Sequence, residues 1–306
     1  MEVGGGIGLF TKKRLLPGEK VATIPQSCVL TGTKALRTEF GRSVVEILRN
    51  EVEATDEFIL LLWMAVGRND PKHPFHPYLA SLPQEGVLPL SWPSSLTDTN
   101  TTLLGTNLGD ALLFHRQLVH GTYANLVTTI QHASPTLLPA SYHHQDIVWA
   151  HDNYVSRRFP SSLSWVQEQE QGEEQEQNKD IVASTFSSVN LSLGIMLPLL
   201  DLANHSFDVE LGWEGNKDGV SFVCGSTKKV QGVEAGGEVF NHYGSKGNEE
   251  LMTAHGFAIY NNKHDSYGLN LSMRLPAAAA VVESSIDSGL GDGDGDGDGD
   301  GDGNGN

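Results

Sequence analysis

The chain has 306 residues, a hydrophobic share of 39% and a formal net charge of −18 at pH 7. That length is ample for one substantial core, or for one domain with an insertion. The acidic balance argues against non-specific nucleic-acid binding, which needs clustered Lys and Arg to displace counterions, and suits a basic partner such as a lysine-rich protein segment. The charge is uneven. Residues 291–306 carry six Asp, and the stretch from Gln167 to Asp180 carries five net negative charges, which leaves −7 for the remainder. The longest apolar run, Phe58 to Val66, is too short to span a bilayer. The first residues lack the basic start and apolar stretch of an export signal. A soluble intracellular protein without a membrane partner is therefore expected, cytoplasmic first, with plastid and nucleus left open. The two cysteines, Cys28 and Cys224, are expected to be free buried thiols; a cysteine zinc cluster would need four.

In chain order, residues 1–31 are predicted to run glycine turn, strand, turn, strand, with Pro17-Gly18 as the turn and a strand from Lys20 broken at Pro25. Two helices follow, over 33–49 and 55–68; in the second, Phe58, Leu61, Leu62 and Ala65 share one face. Five prolines between Pro74 and Pro93 then exclude long helices. Helix is expected over 101–133 and 145–159, with Ile147, Val148, Tyr154 and Val155 packing. Gln167 to Asp180 is a Gln/Glu run expected to be a disordered loop. Strands are expected over 190–200, 220–224, 238–243 and 268–273, with a short helix from Asn248 and a disordered Gly-Asp tail. The layout is a β domain carrying a helical insertion, an α+β chain. Its expected divisions are 1–93, a helical insertion over 94–160, an acidic loop over 161–189, a second β part over 190–275, and the tail 276–306.

Several motifs carry little chemistry. The Gly-Asp repeat lacks the bidentate Glu a calcium loop needs, because its twelfth position is Gly303. The N-terminal glycines have no preceding strand and no following helix, as a dinucleotide fingerprint requires. Neither a Gly-x-Ser-x-Gly elbow nor any other nucleophile-and-base signature for a hydrolase stands out. His73, His76, His143, His144 and His151 form no metal-binding helix pattern and are read as surface or capping residues. Asp201, Asn204 and His205 differ. They follow the apolar run 195–200, and at the end of a buried strand all three would need partners. A ligand-binding turn explains all three together. Tyr243, at a Tyr-Gly turn forty residues on, gains meaning from this combination.

The ordered set resembles the SET-domain protein methyltransferases, specifically the class of the Rubisco large-subunit lysine methyltransferases and the actin-histidine methyltransferases. The resemblance runs over about residues 4–273. Gly6-Ile7-Gly8 through Pro25 looks like the family's opening strands. Pro77-Tyr78-Leu79-Ala80-Ser81-Leu82-Pro83 is similar to its PYxxxLP segment. Trp149-Ala150 and Ser156-Arg157-Arg158-Phe159 look like the end of its helical insertion; Asn204-His205 and Tyr243-Gly244 follow.

This resemblance implies a SET-type fold of small sheets with a pseudoknot, and S-adenosyl-L-methionine as cofactor. Asn204, His205 and the backbone around Asp201 would hold the cofactor's amino-acid end, and Arg157 would pair with its carboxylate. Glu39, Phe40 and Gly41 would contact it from the first helix region, and His255 and Phe257 would line its adenine pocket. Tyr243 would be the catalytic tyrosine at the methyl-transfer point, in a reaction needing no metal. Tyr243 and Phe159 would bind the substrate. Phe159 after Arg157-Arg158 favours a protein lysine, in a non-histone substrate, over the histidine-directed branch; a monomer is expected. The family's N-terminal lead-in and substrate-docking helical C-terminal domain have no counterpart in the sequence, which keeps a non-catalytic binding module as the alternative.

Overall fold

The computed structural model describes residues 7–51, 54–97, 102–164, 194–209, 211–225 and 232–266. The Gln/Glu loop, the strand expected at 268–273 and the Gly-Asp tail lie outside these residues.

Among the described residues the sheet has three strands in the order β1-β3-β2: β1 Lys20–Pro25, β2 Leu211–Asn216 and β3 Gly219–Cys224. All pairs are antiparallel. β2 and β3 form a hairpin across Lys217-Asp218, where the Asn216 side chain accepts from the N–H groups of Asp218 and Gly219. β2 was not expected from its sequence. Leu-Gly-Trp-Glu-Gly-Asn holds two glycines and no β-branched residue, and is held by pairing with the buried strand β3.

The helices are α1 Gly32–Arg37, α2 Glu39–Ile47, α3 Asp56–Gly67, α4 His76–Leu79, α5 Asn107–Arg116, α6 Ala124–Ala133, α7 His144–Arg157 and α8 Asn248–His255, with a π-helical stretch, Gln117–Tyr123, joining α5 to α6. The single helix expected over 33–49 is divided at Thr38. Its hydroxyl donates to the Ala35 carbonyl and accepts from the Gly41 N–H, ending α1 and capping α2 with one side chain. The expected one-sided face of α3 is also corrected: every residue from Phe58 to Ala65 is buried, so α3 is the central helix of the core. The helices expected before residue 94 do not stand apart from the insertion: residues of α1–α4 share one apolar cluster with α6 and α7.

A second cluster lies under the sheet, built from Ile24, Val29, Phe159, Ile195, Leu200 and Phe222 among others. Between the two clusters runs the segment from Gly194. The strand expected over 190–200 is, in its described part, two single bridges, Ile195 to Phe159 and Met196 to Leu30. Pro198 offers no N–H and Leu199 turns to φ 75°, which ends the extended run. The strand expected over 238–243 likewise changes partner. Glu238 bridges antiparallel to Phe10, and Asn241 bridges parallel to His205. Cys224 is buried as expected, but Cys28 is exposed, because it lies in a 3-10 turn after β1; both thiols are free. Among the described residues no helix is long and apolar enough to cross a membrane.

Candidate active site

Three chain segments converge where the two clusters meet. The first is the end of α7. Arg158 leaves the helix in extended conformation, and Phe159 then exchanges both backbone hydrogen bonds with Ile195. Tyr154, one turn earlier, locks this junction: its hydroxyl accepts from the Gly194 N–H at 2.8 Å. The second is the 3-10 turn Leu200–Leu202, entered through Leu199 in a backbone region that costs a non-glycine residue about 1–3 kcal/mol. The third is Asn241-His242-Tyr243. The Asn241 N–H donates to the Asn204 carbonyl at 2.7 Å, and its carbonyl accepts from the Ser206 N–H at 3.0 Å. This parallel pairing sets the Asn-His segment beside the tyrosine.

The cleft between these segments encloses about 320 Å³. Arg157, Phe159, Asp201, Trp213, Tyr243 and His255 are among its walls. Arg157 Nη1 donates to the Asp201 carbonyl at 3.0 Å and meets its Oδ2 at 3.4 Å. Tyr78 donates to the same Oδ2 at 2.9 Å, whereas Oδ1 is buried without a partner among the described residues. Burial pushes the Asp201 carboxyl up, against the pull of Arg157 and Tyr78.

Tyr243 is held at three points. Its hydroxyl donates to the Ala203 carbonyl at 2.8 Å, its N–H donates to His205 Nδ1 at 3.1 Å, and its ring packs on both His205 and His255 at centroid distances of 5.1 and 4.6 Å. Burial raises its phenol to about 12, so the hydroxyl is protonated at neutral pH. The bond to Nδ1 places the His205 ring proton on Nε2, a buried donor without a partner among the described residues. His255 has the opposite tautomer, since its Nδ1 faces the Ser156 carbonyl at 3.1 Å. Burial lowers both histidines to about 4, so both rings are neutral.

Of the residues expected from sequence, Arg157, Phe159, Asp201, Tyr243 and His255 share this cleft. Asn204 and His205 adjoin it through their pairing with the tyrosine segment. The Asn204 amide turns the other way and donates to Glu238 Oε1 at 2.7 Å, next to Ile7 and Gly8. Phe257 stands at the edge of the aromatic group, 6.2 Å from the rings of His205 and His255. Glu39, Phe40 and Gly41 do not line the cleft. Glu39 is exposed, Phe40 packs on the main apolar cluster, and a Cβ on Gly41 would overlap the Ala35 carbonyl, so this glycine serves the contact between α1 and α2.

Sequence reasoning missed four participants. Asn241 is buried and accepts from the Trp213 indole at 3.0 Å and from its neighbour's N–H at 2.8 Å. Trp213 lies on the unforeseen strand β2. Lys246 lines the cleft and also an adjoining one of about 380 Å³ between α5 and α8. Gly8 carries a signal that was available, its Gly-x-Gly setting. A Cβ there would press on Glu238 and Asn204.

The histidines expected on the surface or at caps have mixed fates. His73 is buried against Trp63, and His151 is buried beside Asp152 and His115. The His143 N–H donates to Asp146 at the start of α7. Among the described residues no group of three or more His, Cys, Asp or Glu is arranged to hold a metal.

No family model matches the chain. It is similar to ribosomal lysine N-methyltransferase 1 of Saccharomyces cerevisiae, at 23% identity over 69% of this chain and 36% of that protein. It is also similar to N-lysine methyltransferase SETD6 of Bos taurus, at 24% identity over 83% and 50%, and to the actin-histidine N-methyltransferase of Rhinolophus ferrumequinum, at 25% identity over 90% and 42%. The chain thus spans half or less of the length of these relatives. Among solved structures, Rubisco LSMT bound to AdoMet superposes with a TM-score of 0.65 at 20% identity, covering 94% of this chain and 58% of that one. The SET domain of LSMT bound to MeLysine and AdoHcy superposes with a TM-score of 0.67 at 21% identity over the same shares. The chain thus has the SET-domain fold, and the curated proteins it is similar to are lysine and actin-histidine methyltransferases.

Proposed function

We propose that the chain is an S-adenosylmethionine-dependent protein N-methyltransferase that acts on lysine. The observation that carries this reading is the cleft in which a cationic Arg157, a protonated Tyr243 and the apolar walls Phe159 and Trp213 meet. The residues suit the cofactor. Arg157 keeps nitrogens beyond the Nη1 already given to Asp201, and His205 Nε2 is a buried donor lacking an acceptor among the described residues. Gly8 leaves room beside Asn204 that a side chain would fill. Arg157, with Asn204 and His205 behind it, would hold the amino-acid end, and His255 and Phe257 would pack on the adenine.

When bound, S-adenosylmethionine supplies a methyl group on a sulfonium centre, open to in-line attack by a neutral amine. The protein's part is alignment and electrostatics. The Tyr243 hydroxyl, anchored on the Ala203 carbonyl, presents its free lone pairs to the incoming nitrogen. Phe159, Trp213 and the ring of Tyr243 exclude water, which lowers the pKa of a lysine amine and favours the neutral nucleophile. Phe159 after Arg157-Arg158 favours lysine over histidine. The adjoining cleft, which shares Arg158 and Lys246, gives the residues around the target lysine a place to lie. The partner is a basic, non-histone protein segment, met by a monomer whose acidic charge suits it, in a cytoplasmic setting.

Calorimetric titration with S-adenosylmethionine, followed by labelled methyl transfer to a library of lysine peptides, tests the reading. Saturable binding is expected, weakened about 10- to 100-fold in Arg157→Ala by loss of a charged hydrogen bond. A folded protein that binds no cofactor would favour a non-catalytic binding module. Binding with transfer only to histidine peptides would move the substrate assignment.

A further inference from the structure

Tyr78 sits in the Pro77–Pro83 segment, to which the proposed reaction gives no task. Its ring packs on the main apolar cluster, but its hydroxyl donates at 2.9 Å to Oδ2 of Asp201, in the wall of the cleft. Arg157 is bound to the same residue twice, through the Asp201 carbonyl and Oδ2. We propose that Tyr78 is a positioning residue whose hydroxyl braces the Asp201 carboxylate and, through it, sets the orientation of Arg157. That Arg157 holds a ligand rests on the function proposed above; the brace itself does not.

A buried tyrosine needs one hydrogen-bond partner, and any backbone carbonyl would satisfy it. Here the hydroxyl reaches an ionisable group that burial drives toward its neutral form. Hydrogen bonds to the anionic form oppose that drive. The titratable and charged groups facing Asp201 are Tyr78 from α4, Arg157 from α7 and Tyr243 from the third segment. Of these, Tyr78 makes the shorter contact to Oδ2; Arg157 meets that oxygen at 3.4 Å. Without the hydroxyl, Oδ2 retains only the longer contact. A protonated Asp201 would no longer form an ion pair with Arg157, and the guanidinium would lose one of its two anchors.

The test compares the full chain with Tyr78→Phe. Carbon-13 NMR follows the Asp201 carboxyl in the ligand-free protein, and calorimetry follows S-adenosylmethionine affinity from pH 5.5 to 8.5. In Tyr78→Phe the Asp201 midpoint is expected to rise by about one to two pH units, the equivalent of one hydrogen bond to a charged group. Cofactor affinity should fall at least about tenfold below the new midpoint and recover above it. In an Asp201→Asn background the same change should add no pH-dependent loss. An unmoved Asp201 midpoint, or a loss of affinity equal at every pH, overturns the proposal and leaves Tyr78 a packing residue. Should Tyr78→Phe fail to fold, 3-fluorotyrosine at position 78 keeps the ring and strengthens the donor; the midpoint should then move down, and no movement overturns the brace. A wild type that binds no cofactor defeats the functional reading alone, because the NMR comparison needs no ligand.

Discussion

Tyr243 shows how one side chain is fixed by neighbours that are remote in sequence. Its hydroxyl is spent as a donor on Ala203, its backbone on His205, and its ring on two neutral imidazoles. Tyr243→Phe keeps the ring contacts and loses one hydrogen bond, so it should cost about 1 kcal/mol of stability. Turnover should fall on the order of 100-fold, because in the proposed reaction the lost oxygen would face the reacting nitrogen. Cofactor affinity, read by calorimetry on the same variant, should stay within about twofold. A turnover equal to wild type would remove Tyr243 from the mechanism. At this scale the sequence was informative for Arg157, Asp201 and Tyr243. It was silent on Asn241, a buried amide whose two donors come from Trp213 and His242 and carry no local pattern.

Gly41 belongs to the scale of elements. Resemblance to a family assigned it to the cofactor, but the fold assigns it to the crossing of α1 and α2, where Ala35 leaves no room for a Cβ. Gly41→Ala should therefore destabilise by about 1–3 kcal/mol through overpacking. Denaturant unfolding will show this as a lower midpoint, while the variant that remains folded binds cofactor with unchanged affinity. A selective loss of affinity at full stability would restore the cofactor assignment. The elements themselves were legible where pattern and environment agree, as in α7 and β3. They were misjudged where environment overrides pattern. β2 has almost no strand propensity yet is paired and held by β3, whereas α3 was misjudged for another reason: its continuous apolar run, Phe58 to Val66, is itself the pattern of a helix buried all round.

Across the whole molecule, burial of neutral histidines couples stability to pH. His73, His115, His205 and His255 are each lowered to about 4 by desolvation. Their folded pKa lies below the ordinary value of about 6.5, so the unfolded chain takes up protons first as pH falls. Stability is fully present above pH 6.5 and is lost from there toward pH 4, at no more than about 1.4 kcal/mol per pH unit for each ring. Asp56 and Asp201, raised by burial, act in the opposite sense on the acid side, since their native forms hold protons longer. Burial lowers His120 and His144 as well, so with six rings against two carboxyls scanning calorimetry should show Tm falling steadily between pH 7 and pH 5. A flat Tm over that range would mean the imidazoles are solvated in solution.

The sequence by itself determined the α+β character, the order of the motifs, and Asp201 and Tyr243 as candidates. Those depend on local composition, on where Gly and Pro interrupt a pattern, and on polar residues that follow apolar runs; Arg157, Phe159 and His255 were singled out only by resemblance to a family. Only the tertiary structure decided which of those residues meet. The parallel bridge from His205 to Asn241 and the reach of Tyr78 to Asp201 join positions far apart in the chain. Such contacts form because burial leaves a polar atom no other partner, and no local spacing records which partner it will find.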